Sequence, residues 1–200
     1  MAGPGTPDAL CLACRHTTSP LFRVHAALDY DYPWDRCITA FKFGRRPGLA
    51  RVLAELMWHA PGIAPALESA DLWVPMPLSR ERWQTRGYNQ AHELARALRR
   101  WLPPHTSARQ PRPGYRPMLL HRLRDTHVQS SLNAQERQSN LHRAFHVLPG
   151  DHAQLQDLHI VVIDDIMTTG ASLREAARAL LHAGAQRVSG VVLARTPAVS

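Results

Sequence analysis

Two adjacent carboxylates, Asp164 and Asp165, stand between the apolar run Ile160-Val-Val-Ile163 and the segment Ile166-Met-Thr-Thr-Gly-Ala-Ser172. This order of residue types suits two kinds of bonding at once. The hydroxyls of Thr168, Thr169 and Ser172 are donors, and Gly170 lets the backbone come close to an anion. If a helix starts here, the N–H groups of the Thr168-Thr169-Gly170-Ala171-Ser172 stretch lack intrahelical partners and sit at the positive end of the helix dipole. That combination makes a phosphate cradle. The two acids would repel phosphate. They suit sugar hydroxyls, to which they offer acceptor oxygens, or a magnesium ion held through water. A monophosphate with a diol one step away is a ribose 5-phosphate. A plain capped turn would explain one acid, not two after a β-branched run. No Gly-Lys-Ser/Thr follows, so a Walker-type loop is excluded, and a Rossmann fingerprint is absent too.

Elements must hold these groups in place. Ile160–Ile163 reads as a strand buried on both faces. Leu173, Ala176, Ala177, Leu180 and Leu181 form a helical stripe, Gly184 ends it, and Val188–Leu193 reads as a second buried strand. Together they are a βαβ unit with parallel strands. In an open parallel sheet, ligands bind beyond the carboxyl ends of the strands, which is where Asp164 and Asp165 are expected.

Upstream, Trp34, Cys37, Ile38 and Phe41 fall at helical spacing and end at Gly44, with Cys37 read as core packing. Leu49, Val52, Leu53, Leu56 and Met57 repeat the pattern before Pro61-Gly62. Leu72–Pro77 is a short strand. Asn89 caps a helix that buries Ala91, Leu94, Ala95, Leu98 and Trp101. Residues 103–117 hold five prolines and read as a surface excursion. Met118–Leu120 is a strand candidate, and 121–143 is polar without apolar periodicity. Residues 1–30 are weakly patterned and read as a short N-terminal segment, apart from a domain over 31–200.

The 200 residues allow one domain with a real core, or a domain with a small appendage. No apolar run approaches the roughly 20 residues of a membrane span. The start lacks a basic, apolar leader, so the expected location is the cytoplasm. There the three cysteines would be thiols or metal ligands rather than disulfides. The net charge is +8, and of 24 basic residues only Lys42 is a lysine. Arginine grips phosphate in a planar, bidentate way, which favours an anionic ligand. A compact lysine charge at Lys42 suits either a site or the end of a helix.

Val161–Ser172 resembles the phosphoribosyl diphosphate motif of type I phosphoribosyltransferases. Phe41-Lys-Phe-Gly44, Val74–Ser79, Arg86-Gly-Tyr-Asn-Gln90 and the Gln129…Arg137-Gln-Ser-Asn140…Phe145 stretch are similar to the ComF family. The resemblance runs over residues 30–196. It implies an α/β fold with a mostly parallel sheet flanked by helices and an N-terminal helical hood near 31–61. It implies a phosphoribosyl diphosphate-binding protein linked to competence and DNA uptake or to nucleotide metabolism, with magnesium as cofactor. Asp164 and Asp165 would bind the ribose diol, and Thr168, Thr169, Gly170, Ala171 and Ser172 the 5-phosphate.

By the same resemblance, a pyrophosphate loop would run from Pro75 to Arg86 and Gly87. The clustered Arg80, Arg82 and Arg86 fit a dense negative charge. A flexible loop over the reacting centre would carry Arg122, Arg124, Gln129, Arg137 and Asn140. Family members commonly begin with a zinc module of paired C-x-x-C motifs. Here there is one pair, Cys11 and Cys14, which His16 or His25 could complete. Three functions follow as expectations: phosphoribosyl transfer, with Asp164, Asp165 and Arg86 catalytic; non-catalytic sensing of phosphoribosyl diphosphate or a nucleotide; and tracking of single-stranded DNA within a competence machinery. The last has little aromatic support in the sequence, since only Tyr88 lies in an Arg-rich polar segment.

Overall fold

Ile160, Val161, Val162 and Ile163 are fully buried, as a β-branched run covered on both faces should be. They lie in β6 (His159–Met167), the middle strand of a five-stranded sheet. Across the sheet the order is β1 (Arg23–Asp29), β7 (Arg187–Arg195), β6, β2 (Leu72–Pro75) and β3 (Gly114–Tyr115). Each neighbouring pair runs parallel. The structure, a computed structural model, describes residues 19–103, 112–122 and 144–197.

Side chains alternate across the sheet. Val161 and Ile163 join Trp73, Val191 and Leu193 in one core. That core is closed by α1 (Trp34–Phe43), α2 (Ala50–His59), α3 (Ile63–Glu68) and α5 (Gln90–Leu98). Ile160 and Val162 join Leu72, Val74, Val188 and Val192 in the other core. There α6 (Ala171–His182) packs with an antiparallel two-stranded sheet of β4 (Leu120–Arg122) and β5 (Phe145–Val147). The expected fold class is what forms: helices on both faces of a parallel sheet, with α1 and α2 as the hood.

Several local expectations are corrected. Residues 23–29, placed in a segment apart from the domain, form an edge strand that pairs with β7. Cys37 is exposed rather than packed in the core, because Ile38 and Phe41 are the residues α1 turns inward. Val52 is 59% exposed; Ala50, Leu53, Ala54 and Met57 form the buried stripe of α2 instead. Trp101 lies past α5 and is 37% exposed, edge-on to His59. A helix, α4 (Arg80–Arg86), occupies most of the stretch expected as a pyrophosphate loop. Among the described residues no helix is long and apolar enough to cross a membrane.

Candidate functional site

The ladder between β2 and β6 ends at Pro75 and Ile163, whereas β7 accompanies β6 as far as Met167. Asp164 and Asp165 follow at once. They therefore lie inside β6 rather than beyond it, on a length with no strand on the β2 side. The acids thus stand at the carboxyl end of a parallel sheet, the end at which ligands bind in open α/β sheets. Each acid spends one oxygen on the backbone: Asp165 N–H donates to Asp164 Oδ1 at 2.8 Å, and Ile166 N–H to Asp165 Oδ1 at 2.7 Å. Asp165 Oδ2 is buried and accepts no hydrogen bond.

Two cations face that oxygen. Lys42 Nζ, from the last turn of α1, is 3.3 Å away, and Arg86 Nη1, from the last turn of α4, is 3.9 Å away. Arg86 is itself fixed. It donates to Gln90 Oε1 at 2.9 Å and lies over the Phe43 ring at 5.2 Å. Burial lowers the pKa of its guanidinium below the usual value, against the opposing pull of Asp165. The Tyr88 hydroxyl donates to the Phe41 carbonyl, and the two rings are in contact. The end of the hood helix is thus tied to the chain that carries Arg86.

The chain placing Arg86 is built by caps. Ser79 Oγ accepts from Arg82 N–H at the start of α4, and Gly87, at φ +78°, ends it. Asn89 Oδ1 accepts from Ala91 and His92 N–H at the start of α5, while its Nδ2 donates to the Met76 carbonyl at 2.9 Å. Pro75 is buried at the end of β2, whereas Arg80 and Arg82 are exposed on α4. Of the three arginines, Arg86 is the one the fold brings to the acids.

Beyond Asp165, Thr168 and Thr169 are exposed, Ala171 and Ser172 are half-buried, and α6 starts at Ala171. Gly170 precedes it with φ +71°, and no side chain caps the helix. Thr169 Oγ1 accepts from Ala171 N–H, and Arg174 Nη1 donates to the Thr169 carbonyl at 3.0 Å. A Cβ on Gly170 would stand 3.2 Å from Arg174 Nη1 and 3.4 Å from Met167 Sδ. The acids and the N-terminus of α6 thus lie on one continuous stretch.

The acids differ in charge state. Burial, then repulsion from Asp165, pushes the Asp164 carboxyl up to about 8, with Lys42 pulling the other way. Burial and its neighbour thus make Asp164 resist ionisation, while Asp165 faces two cations.

Some expected residues are placed elsewhere. Arg122 belongs to β4, not to a loop, with its guanidinium over the Phe145 ring at 5.5 Å. Arg124, Gln129, Arg137, Asn140, Cys11, Cys14 and His16 lie outside the described residues. His25 lies on β1, its ring against Gly62. Among the described residues no cluster of three or more metal-ligating side chains forms. Gln90 and Phe43 join the site through Arg86; the sequence holds them within the quoted motifs but assigns them no role. Lys42 was conspicuous only as the single lysine, since its partner comes from the far end of the chain.

Comparison with known proteins adds independent findings. Residues 85–199 match the family described as the phosphoribosyl transferase domain. A DNA utilization protein YhgH from Salmonella typhi is 34% identical over 197 residues, covering 96% of this chain and 80% of that protein. Its counterpart of the same name in Escherichia coli K12 is 33% identical over 199 residues, 96% and 81% of the two chains. Competence protein F of Haemophilus influenzae is 30% identical over 170 residues, 83% and 69%.

Proposed function

Because the chain belongs to the ComF family of proteins with a phosphoribosyl transferase domain, we propose that its site binds phosphoribosyl diphosphate and transfers the phosphoribosyl group. The observation that carries this is the single stretch joining an acid pair, Asp164 and Asp165, to the N-terminus of α6, with Arg86 beside Asp165. The 5-phosphate would take the N–H groups of the loop and first turn, with Thr168, Thr169 and Ser172. The diol would donate to Asp164 and Asp165. The Arg86 guanidinium would face the charge that grows on the leaving diphosphate. In the reaction the bond from the anomeric carbon to the diphosphate oxygen breaks, and the diphosphate departs with the electron pair. A nucleophile then completes the new bond at that carbon.

Magnesium fits this donor set in part. Asp165 is already engaged by two cations, so Asp164 would hold the ion together with oxygens of the ligand itself, as is usual for magnesium. When bound, it would neutralise diphosphate charge. Thermal denaturation tests the binding. Phosphoribosyl diphosphate with magnesium should raise the midpoint, with about 2.7 kcal/mol of stabilisation at a hundred times Kd. No shift with phosphoribosyl diphosphate, ribose 5-phosphate or pyrophosphate would oppose the reading.

A second reading is favoured by a different observation. Three exposed aromatic rings each carry an arginine over the face: Phe22 with Arg23 and Arg187, Tyr32 with Arg36, and Phe43 with Arg86. Arginine beside a stacking ring is how single-stranded nucleic acid is held without sequence preference. Two relatives are named for DNA utilization and one for competence, which supports a role with DNA. Binding to single strands should then weaken steeply with salt and fall further in a Tyr32→Ala, Phe43→Ala double variant.

A further inference from the structure

Among 24 basic residues the chain places one lysine, and the fold brings it to the acid pair. Lys42 Nζ is 3.3 Å from Asp165 Oδ2, and both side chains are nearly withdrawn from water, at 15% and 11% exposure. The same oxygen lies 3.9 Å from Arg86 Nη1. One carboxylate oxygen therefore has two cations. They are not equivalent. Arg86 is pinned by Gln90 and by the Phe43 ring. Lys42 has Asp165 as its one ion pair among the described residues.

A sugar diol arriving at Asp165 takes up the acceptor that Lys42 occupies. The ammonium then needs a new anion, and a diphosphorylated sugar brings one. Lysine suits such an exchange. Its charge is compact, its stem is flexible and its three donors rotate, whereas the planar guanidinium fork would stay locked on a carboxylate. The hood helix that carries Lys42 is also tied to the Arg86 segment by the Tyr88–Phe41 hydrogen bond, so both cations approach from one connected piece of structure.

We propose that Lys42 is a binding residue that exchanges partners. It rests on Asp165 in the free protein and passes to the diphosphate when phosphoribosyl diphosphate binds, which lets the site discriminate the diphosphate from ribose 5-phosphate. The proposal rests on the reading of the site given above. It assigns the hood a part in ligand recognition and places two cations, not one, on the leaving group.

The single lysine makes the test direct. Lysine labelled with 13C at Cε alone gives the wild-type chain one side-chain resonance. Saturating phosphoribosyl diphosphate moves that resonance, whereas inorganic phosphate, held at the α6 N-terminus, leaves it in place. In calorimetric titrations Lys42→Met weakens phosphoribosyl diphosphate by at least about tenfold, as loss of a charge-assisted contact should. Affinity for ribose 5-phosphate stays within about twofold, since that ligand lacks the diphosphate. Lys42→Arg does not restore the loss. A resonance unmoved by phosphoribosyl diphosphate, equal weakening of both sugars by Lys42→Met, or full restoration by Lys42→Arg would overturn the exchange. A wild-type chain that binds neither sugar contradicts the functional reading itself; one that binds both, with an unmoved resonance, contradicts the role of Lys42 alone.

Discussion

Asp164 and Asp165 are neighbours in sequence with unlike surroundings, and the difference is testable by pH. Burial raises the Asp164 carboxyl from 3.8 to about 8. The native state therefore binds a proton that the unfolded chain releases, so this group makes stability fall as pH rises from about 4 to about 8. Asp164→Asn removes the titration. Its melting midpoint should gain on the wild type between about pH 5 and about pH 9; parallel curves would show that Asp164 is charged throughout. Gly170 gives a second residue-scale prediction. Its φ of +71° is one that a β-branched residue rarely adopts, and an added Cβ would press on Arg174 Nη1 at 3.2 Å. Gly170→Val should therefore weaken inorganic phosphate binding by about tenfold or more through lost approach to the backbone. Both acids and the loop were legible from residue types alone. The pairing of Lys42 and Arg86 with Asp165 was not, because a salt bridge between distant residues leaves no mark on local spacing.

Elements were legible where burial is two-sided or striped. β6 and α6 announced themselves through a β-branched run and a helical repeat. β1 did not, since Arg23-Val-His-Ala-Ala-Leu-Asp29 is an edge strand of largely half-buried residues with no apolar run. Nor did α4, whose Arg-Glu-Arg-Trp-Gln-Thr-Arg sequence buries no residue and depends on the Ser79 cap and Gly87. Asn89 is the element-scale residue that most affects the site. It caps α5 with two accepted bonds and ties that helix to Met76. Asn89→Ala should cost about 1–2 kcal/mol of stability, in the range of a lost N-cap. It should also weaken phosphoribosyl diphosphate more than phosphate, since Arg86 and Gln90 flank it. Chemical denaturation measures the first effect and calorimetry the second. Unchanged stability would mean that Asn89 does not hold the helix.

At the scale of the molecule, β2 stops while β6 and β7 continue, and the candidate site lies on that difference in length. The class of fold could be read from alternating strand and helix signals; the difference in length could not, because the β2 ladder ends at Pro75 and no local pattern marks where its neighbours end. The edge at β1 gives a whole-molecule prediction. A chain starting at residue 31 loses the strand paired to β7 and leaves that edge open. It should be far less soluble than a chain starting at 19, which a comparison of soluble yield and melting would show. The central claim is that acids take the diol while the helix N-terminus takes the phosphate. The direct measurement is calorimetric titration of wild type and Asp165→Asn with ribose 5-phosphate and with inorganic phosphate. Hydrogen bonds to a charged group are worth about 1.5–3 kcal/mol, so ribose 5-phosphate affinity should fall roughly tenfold to a hundredfold. Phosphate affinity should hold or rise, because Lys42 and Arg86 lose their carboxylate partner and repulsion is relieved. If Asp165→Asn weakens both ligands by the same factor, the carboxylate only holds the loop in shape, and the assignment of the diol to the acid pair is contradicted.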